Sequence, residues 1–176
     1  MANCPMLFSF FALVFNGRRW ALAALAAAGL ATAGCASHSA TLPPHLITFH
    51  IQSTDANGGT ELTMPRNGLK YRYIPQTDLT IVDLQKVMLE RVQLGLAMAF
   101  FFDPGGQRKL EAMTTKYQGR LLFVFDNNDP VGAVKIQDRI SNGILPVWMD
   151  MPDDKLNDYA VDINESIAKI GDLKNK

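Results

Sequence analysis

Apolar and polar residues alternate with a period near two in several short segments after residue 45. "LITFHIQ" at residues 46–52 predicts a strand, and "TELTMP" and "LKYRYI" around "RNG" predict a hairpin. "RLLFVFD", "VGAVKI" and "GILPVWM" predict three more strands, and Pro146 in the last of them indicates an edge or a bulge. "VQLGLAMAFFF" is a continuous apolar run of strand length, too apolar for an edge position. "LTIVDLQKVML" fits a short helix or a strand equally well.

Helical periodicity appears in two segments. Asp103 is placed to cap the first, Pro104 occupies its first position, and Gly119 supplies a left-handed end. One face of that helix carries Leu110, Met113 and Tyr117. The second helix has Asp153 and Asp154 at its start and Lys169 and Gly171 at its end. Its apolar stripe consists of Leu156, Tyr159, Ala160, Ile163, Ile167 and Ile170. We therefore expect an α+β fold with a small, mostly antiparallel sheet and two main helices packed on one face, in a ferredoxin-like arrangement.

The amino-terminal segment has the pattern of an export signal. Arg18 and Arg19 precede Trp20–Ala33, an uncharged run shorter than the ~20 residues that a spanning helix needs. The sequence "TAGC" ending at Cys35 resembles the lipobox of bacterial lipoproteins, in which the cysteine thiol carries a diacylglyceryl group and becomes the new first residue. An ordinary signal peptide with an incidental cysteine is the alternative.

These features divide the chain into three parts. We expect a lipoprotein signal peptide over residues 1–34, a flexible tether over residues 35–45 that follows lipidated Cys35, and a single periplasmic α+β domain over residues 46–176. The polar, proline-containing "SHSATLPPH" suits a tether. Ala36 is not the aspartate that retains many lipoproteins in the inner membrane, so the resemblance favours the outer membrane.

Charge and cysteine content exclude several classes of function. The chain has 17 basic and 17 acidic residues, and loss of Arg18 and Arg19 with the signal leaves 15 against 17, a net charge of about −2. A nucleic-acid partner is therefore not expected, because phosphate binding requires a basic surface. The two cysteines, Cys4 and Cys35, lie in or next to the signal, which excludes disulfides and thiol chemistry in the domain.

From residue 79 to residue 170 the order of elements resembles the periplasmic head subdomain of the SecD/SecDF protein-export family. The matching segments are "LTIVDLQKV", "LGLAMAFFFDPGGQRKLEAMTTKYQG" and "RLLFVFDNNDPVGAVKIQDRISNGILPVWM", followed by the closing helix. The positions that carry the resemblance are Thr114, Gly119, Asn127, Asn128, Ile136, Ile140 and Gly143. SecD proteins have membrane-spanning helices with acidic residues that couple proton flow to export, and this chain has none after Cys35. The resemblance therefore implies the fold and a contact with envelope polypeptides, not motor activity.

The polar segment "DNND" at residues 126–129 is a candidate for metal binding or acid/base chemistry. As a calcium loop starting at Asp126, it fails because Pro130 and Val131 fall where a ligand and a glycine are required. A hairpin tip explains it better: Asn127 and Asn128 tolerate positive φ, Asp126 caps the turn, and Pro130 blocks strand pairing.

Other chemical motifs are weak. His38 lies in the tether, and His45 and His50 are spaced to point to opposite sides of a strand, so we expect tether or surface roles and no shared metal. No G-x-S-x-G elbow accompanies Ser53, Ser141 or Ser166, although a triad assembled from distant residues stays open. "DPGGQRK" lacks the ending of a phosphate-binding loop. We predict no catalytic residue, metal or cofactor, and lipidation at Cys35 alone.

Aromatic residues are the remaining candidates for recognition: Tyr71, Tyr73, Phe100, Phe101, Phe102 and Trp148. Most of them are expected in the core. If one sheet face is left uncovered by helices, the outward ring of the Phe100–Phe102 run joins an exposed patch suited to a partner. The leading hypothesis is a non-enzymatic, lipid-anchored periplasmic module with an envelope polypeptide as partner. The alternative is a periplasmic hydrolase or small-ligand-binding protein, for which a deep pocket with convergent polar groups would be expected.

Overall fold

A computed structural model describes residues 44–55, 58–92 and 95–174 of the chain. The signal peptide, Cys35 and most of the tether that the sequence predicts lie outside these residues. The described elements are, in chain order, β1 (Ile47–Ile51), β2 (Thr60–Thr63), β3 (Lys70–Tyr73), β4 (Leu84–Val92), β5 (Gly95–Phe102), α1 (Pro104–Lys116), β6 (Leu121–Asp126), β7 (Asp129–Lys135), β8 (Ile144–Met149) and α2 (Asp153–Lys174).

Six strands form an antiparallel sheet in the order β1-β6-β7-β8-β5-β4, and β2 and β3 form a separate two-stranded sheet. The predicted α+β class with a mostly antiparallel sheet is therefore confirmed. β5 lies between β8 and β4, as its uninterrupted apolar sequence predicts. The central strands are apolar on both faces, which is why the fold needs cover on both sides of the sheet.

Both helices pack on the same face of the large sheet. Leu110 of α1 and Leu156 of α2 are buried in one cluster with Phe49 and Phe100 of the sheet, whose rings meet edge to face at 5.4 Å. The predicted stripe of α2 contacts this cluster along its whole length. The two helices on one face are thus confirmed, and we call this side of the sheet the helix face.

The ends of the helices follow partly from the sequence. Asp103 Oδ1 accepts a hydrogen bond from the backbone N–H of Gly106 at 2.7 Å, so it caps α1 as predicted. Gly119 has a φ of 85°, in agreement with the left-handed end. The prediction that Gly171 ends α2 is wrong, because the helix continues to Lys174. No helix in the described ranges is long and apolar enough to cross a membrane.

The ambiguous segment "LTIVDLQKVML" contains both conformations. A 3-10 turn over Ile81–Asp83 leads directly into β4. Asp83 Oδ2 accepts the backbone N–H of Thr80 at 3.0 Å, and its Oδ1 lies 2.7 Å from Nζ of Lys109. The short turn therefore joins the start of β4 to α1.

Side chains and loops occupy parts of the two outer edges of the large sheet. On β4, the side chain of Asn164 from α2 accepts the N–H of Val87 at 2.8 Å and donates to its C=O at 2.9 Å, as a neighbouring strand would. On β1, Phe49 N–H donates to Leu79 C=O and Ile74 N–H donates to Ile51 C=O. Both edges are thus protected against pairing with another chain at these positions.

Candidate functional site

The sheet face opposite the helices is covered over only part of its width. The β2-β3 hairpin packs Leu62 and Met64 against Phe123 and Phe125 of β6. Tyr71 and Tyr73 of β3 stack against the same two phenylalanines, with ring centroids 5.4 and 4.7 Å apart. The hairpin therefore covers the half of this face formed by β1, β6 and the near part of β7.

The other half of that face, formed by β8, β5 and β4, has no covering element among the described residues. The strand registers place three cross-strand rows on it: Trp148 with Ala97 and Glu90, Pro146 with Ala99 and Met88, and Ile144 with Phe101 and Lys86. We call these nine residues the open half-face. Seven of them are apolar, and two are charged, Lys86 and Glu90. Ala97 and Ala99 are themselves fully buried, so the larger apolar side chains around them supply the exposed area.

The exposure of the aromatic residues agrees with the expectation from the sequence. Phe100 and Phe102 are buried on the helix face, whereas Phe101 points to the open half-face. Trp148 is 39% exposed and Met88 is 45% exposed, both large values for apolar side chains in strands. Lys86 Nζ lies 4.7 Å from the centroid of the Phe101 ring. Contiguous exposed apolar patches are uncommon on monomeric soluble proteins, and large ones mark sites of interaction with other molecules.

A cleft opens where β7 and β8 separate. The two strands pair only at Gly132 with Met149 and at Ala133 with Trp148. The next pair on the same edge would join Lys135 to Pro146, but Pro146 has no N–H to donate. The ladder therefore ends at Trp148, and the indication of an edge at Pro146 is confirmed in this local sense.

The β7–β8 cleft has a volume of about 550 Å³. Its apolar lining comes from Ile136, Ile140, Ile144, Leu145, Pro146 and Trp148. Lys135, Asp138 and Arg139 stand among its polar lining residues. Because Ile144, Pro146 and Trp148 also belong to the open half-face, the cleft and the half-face form one continuous apolar surface.

Helix α1 holds the loop between β7 and β8 in place. Gln107 Nε2 donates to Ser141 C=O at 2.6 Å, and Gln118 Nε2 donates to Gln137 C=O at 2.7 Å. Thr114 is fully buried, and its Oγ1 accepts the N–H of Ile140 at 3.0 Å. The cleft wall is therefore preformed, because two side chains of α1 and one from the turn that follows it fix the loop backbone.

Four of the positions that carry the sequence resemblance meet at this wall. Thr114, Ile136, Ile140 and Gly143 are brought together by the bond between Thr114 and Ile140 and by the packing of Gly143 on Gln107. Gly143 has a φ of 71°, which a side chain would oppose.

The fold of the domain is similar to part of SecDF. A crystal structure of SecDF in its super-membrane-facing form superposes with a TM-score of 0.55 at 19% identity, over 72% of this chain and 19% of that one. A second SecDF structure, described as a membrane component that enhances protein export, gives a TM-score of 0.54 at 18% identity, over 72% of this chain and 63% of that one. A scan against protein families and a search of curated proteins find no match.

These comparisons confirm the predicted SecD-like fold and extend it beyond residues 79–170. This chain spans less than two thirds of either SecDF chain, and at below 20% identity the likeness concerns the fold alone.

The "DNND" segment is a hairpin tip, as predicted. Asn127 and Asn128 have φ of 50° and 75°, the left-handed values of a two-residue turn between β6 and β7. The prediction that Pro130 blocks pairing is wrong, because Pro130 lies opposite Phe125 within the ladder. A register shift between Val124 and Phe125 accommodates the missing donor.

Asp126 does not cap the turn, which corrects the prediction for this residue. Its side chain is 10% exposed and points to the start of the domain. Oδ1 accepts the N–H of Leu46 at 3.1 Å, and Oδ2 accepts the hydroxyl of Tyr159 at 2.9 Å and lies 2.6 Å from Nδ1 of His45. Asn127 adds a bond from its Nδ2 to Pro44 C=O. The hairpin tip therefore fastens the first described residues to α2.

His45 is accordingly not a tether or surface residue, contrary to the prediction. Its side chain is 18% exposed, and its ring meets that of Tyr159 edge to face at 5.2 Å. The sequence could not show this, because Asp126 and Tyr159 are far from His45 along the chain. The flexible tether must therefore end before His45.

The His45–Asp126 pair lacks the neighbours that hydrolysis requires. The hydroxyl of Ser166 accepts the backbone N–H of His45 and donates to Asp162 C=O, so it faces away from the imidazole. Burial, together with the Asp126 carboxylate, raises the pKa of Tyr159 far above its usual value, which leaves its hydroxyl a firm hydrogen-bond donor. In the parts of the chain that the structure describes, no group of three or more His, Cys, Asp or Glu side chains is placed to hold a metal ion. The bonds of Asp126, His45 and Tyr159 thus hold the first described residues against α2.

His50 lies on the other side of β1 from His45, as their spacing predicts, but it is buried, which the sequence did not indicate. Its Nδ1 donates to Ile74 C=O at 3.1 Å, and Nε2 lies 3.0 Å from Thr48 Oγ1, whose hydroxyl can donate to it when the ring is neutral. Its ring also packs edge to face on Phe125 at 4.9 Å. Burial lowers the pKa of His50 below 6.5.

This gives a prediction for the dependence of stability on pH. Below pH 6.5 the unfolded chain takes up a proton at His50 before the folded chain does, so the free energy of unfolding should fall as pH decreases from 6.5 towards the folded pKa. In His50→Gln that part of the slope should disappear, and this can be measured by denaturant unfolding at several pH values. An unchanged slope in His50→Gln would contradict the role assigned to His50.

Proposed function

We propose that this chain is a lipid-anchored, non-catalytic protein of the bacterial cell envelope whose open half-face contacts polypeptides in the periplasm, as an accessory of protein export or envelope maintenance. The observation that carries the proposal is the uncovered apolar half-face with Trp148 and Met88, on a fold similar to part of SecDF. A surface that works by contact needs apolar area and a fixed shape, and both are present in the sheet and the preformed cleft.

The anchor is the lipobox cysteine, Cys35, and Ala36 after it favours the outer membrane. The domain begins nine residues later, at Pro44, which limits its distance from the bilayer surface to about 30 Å. A short tether of this kind keeps the domain near the membrane and leaves its orientation free.

Replacing the anchoring thiol tests the membrane part of the proposal. In Cys35→Ser the protein should lose its acyl chains and move from the membrane fraction to the soluble fraction, whereas Cys4→Ser should change nothing because Cys4 leaves with the signal. Fractionation with mass spectrometry of the amino-terminal peptide measures both. Membrane partitioning that is the same in Cys35→Ser and in the unaltered protein would contradict the anchor.

Trp148→Asp tests the contact surface. A carboxylate in place of Trp148 on the open half-face should weaken binding of a permanently unfolded polypeptide by about tenfold or more, as expected when an aromatic anchor of an interface is lost. Val161→Asp is the matched control, since Val161 is a 51% exposed apolar residue on α2, away from the half-face. Equal affinities of the two variants, measured by calorimetry, would contradict the assignment of this surface.

A further inference from the structure

We infer that the β7–β8 cleft accepts a short extended segment of the bound polypeptide, which pairs with the edge of β7 at Lys135 and carries a carboxylate beside its apolar residues. The inference rests on the proposed function and names the chemistry of the partner at the same surface. Three observations carry it: the direction of the backbone groups at Lys135, the occupation of the outer sheet edges at Val87 and along β1, and the charge of Lys135.

The backbone of Lys135 faces the cleft. In an antiparallel pair the N–H and C=O of one residue point to the same side, and successive residues alternate. Val131 C=O accepts the N–H of Asp150 on the β8 side, whereas Ile136 N–H donates to Arg120 C=O on the β6 side. Odd-numbered residues of β7 therefore face β8, and the groups of Lys135 point to the place where Pro146 ends the ladder.

Strand addition is not equally available at the outer edges. Asn164 occupies the donor and acceptor of Val87 on β4, and the segment from Ile74 to Thr80 covers β1. Among the described strands, the ladder broken at Pro146 thus presents edge groups next to an apolar lining. A peptide there would make the two hydrogen bonds of one strand pair with Lys135 and place alternate side chains over Ile140 and Leu145.

The positive charge of Lys135 determines which peptide side chain is favoured directly across from it. Its side chain lies on the same face as Trp148, since Lys135 pairs with Leu121 and Trp148 with Ala133, which both contact the hairpin side. Lys135 makes no ion pair with any described residue, while the neighbouring Arg139 lies 3.4 Å from Glu111. A glutamate or aspartate on the peptide, directly across from Lys135, would complete the pair.

Charge also argues against a lipid surface as the occupant. Three carboxylates, of Asp150, Asp158 and Asp162, and one cation, of Lys155, line the groove around Tyr159, and the Tyr159 ring packs on His45 at the start of the domain. An anionic bilayer would repel this end of the domain, the end that the anchor brings nearest to it. The polypeptide is therefore the occupant that the charges favour.

The test uses the processed, lipid-anchored protein in detergent micelles, in which Trp148 is the sole tryptophan because Trp20 leaves with the signal. The probe is a capped ten-residue peptide in which Val and Ser alternate and one central Ser is replaced by Glu. We expect a blue shift of Trp148 emission and a calorimetric affinity that falls about tenfold, or ~1.4 kcal/mol, when the central amides are N-methylated. Lys135→Glu should lower the affinity for this peptide to a similar extent, and it should raise the affinity for a peptide with Lys in place of Glu.

The possible outcomes distinguish failure of strand addition at Lys135 from failure of the proposed contact surface. One outcome is that peptide affinity falls in Trp148→Asp and yet is unchanged by N-methylation and by Lys135→Glu. That result would overturn strand addition but would still support the open half-face as the contact surface. If neither peptide binds, and neither heat nor emission changes, the inference and the proposed surface both fail. If vesicles of phosphatidylethanolamine and phosphatidylglycerol shift Trp148 emission and the peptides do not, the occupant is a membrane and the inference is wrong.

Discussion

Replacing Asp126 with alanine is expected to lower the free energy of unfolding by about 2–4 kcal/mol, the largest effect we predict for a polar residue. The carboxylate accepts bonds from Leu46, His45 and Tyr159 in a site that is almost closed to water. Its removal leaves the buried Tyr159 hydroxyl without its acceptor and releases the first residues of the domain from α2. Chemical denaturation measures the loss, and hydrogen exchange at the Leu46 amide should show it locally.

The matched control stands on the same hairpin. Asp129 is the cross-strand neighbour of Asp126 but is exposed, so Asp129→Ala should change stability by no more than about 0.5 kcal/mol. Tyr159→Phe removes a single donor and should lower stability by about 1 kcal/mol. If Asp126→Ala proved as stable as Asp129→Ala, the carboxylate would not be the fastening of the domain's start.

Gly106→Ala is expected to destabilise the domain by about 2–3 kcal/mol through overpacking at the start of α1. A Cβ at this position would lie 2.7 Å from the carbonyl oxygen of Asp83 and 2.8 Å from its Cβ. Asp83 cannot move aside easily, since its carbonyl accepts the N–H of Asp103 and its carboxylate holds Lys109. The helix must shift instead, and the loop that α1 holds at the cleft would shift with it.

Gly171→Ala provides a control of opposite sign. Nothing lies within 4 Å of a Cβ at Gly171, and the residue is inside α2. Alanine there should stabilise the protein by about 0.5–1 kcal/mol, because glycine loses more backbone entropy in a helix. Thermal unfolding of the two variants should therefore move in opposite directions; a Gly106→Ala protein at least as stable as the unaltered one would show that the close approach is absent.

Local sequence patterns were sufficient to predict most of the strands and helices and the packing of both helices on one face of the sheet. The alternation in "LITFHIQ" and the stripe of α2 predict which side chains meet in the helix-face core, because period and burial are linked directly. The turn at Asn127 and Asn128 was predictable for a similar reason: few residues adopt positive φ readily. Gly171 shows where this reasoning fails, since the packing of α2 overrides a weak local preference.

The contacts that define the candidate site depend on residues far apart in sequence. Asp126 is joined to His45 and Tyr159 across 81 and 33 positions, and no local pattern marks such a pairing. The same holds for Asn164 at the edge of β4. One residue, Pro146, indicated the cleft from the sequence, because proline cannot donate a hydrogen bond to a neighbouring strand. The sequence does not show which of the two neighbouring strands loses that bond.

Contact between the open half-face and envelope polypeptides can be tested by photocrosslinking in living cells, with benzoylphenylalanine in place of Trp148 in one strain and in place of Val161 in another. We expect light-dependent adducts with pulse-labelled, newly exported polypeptides from position 148 and few or none from position 161. Adducts of equal yield from both positions, or none from position 148, would contradict it.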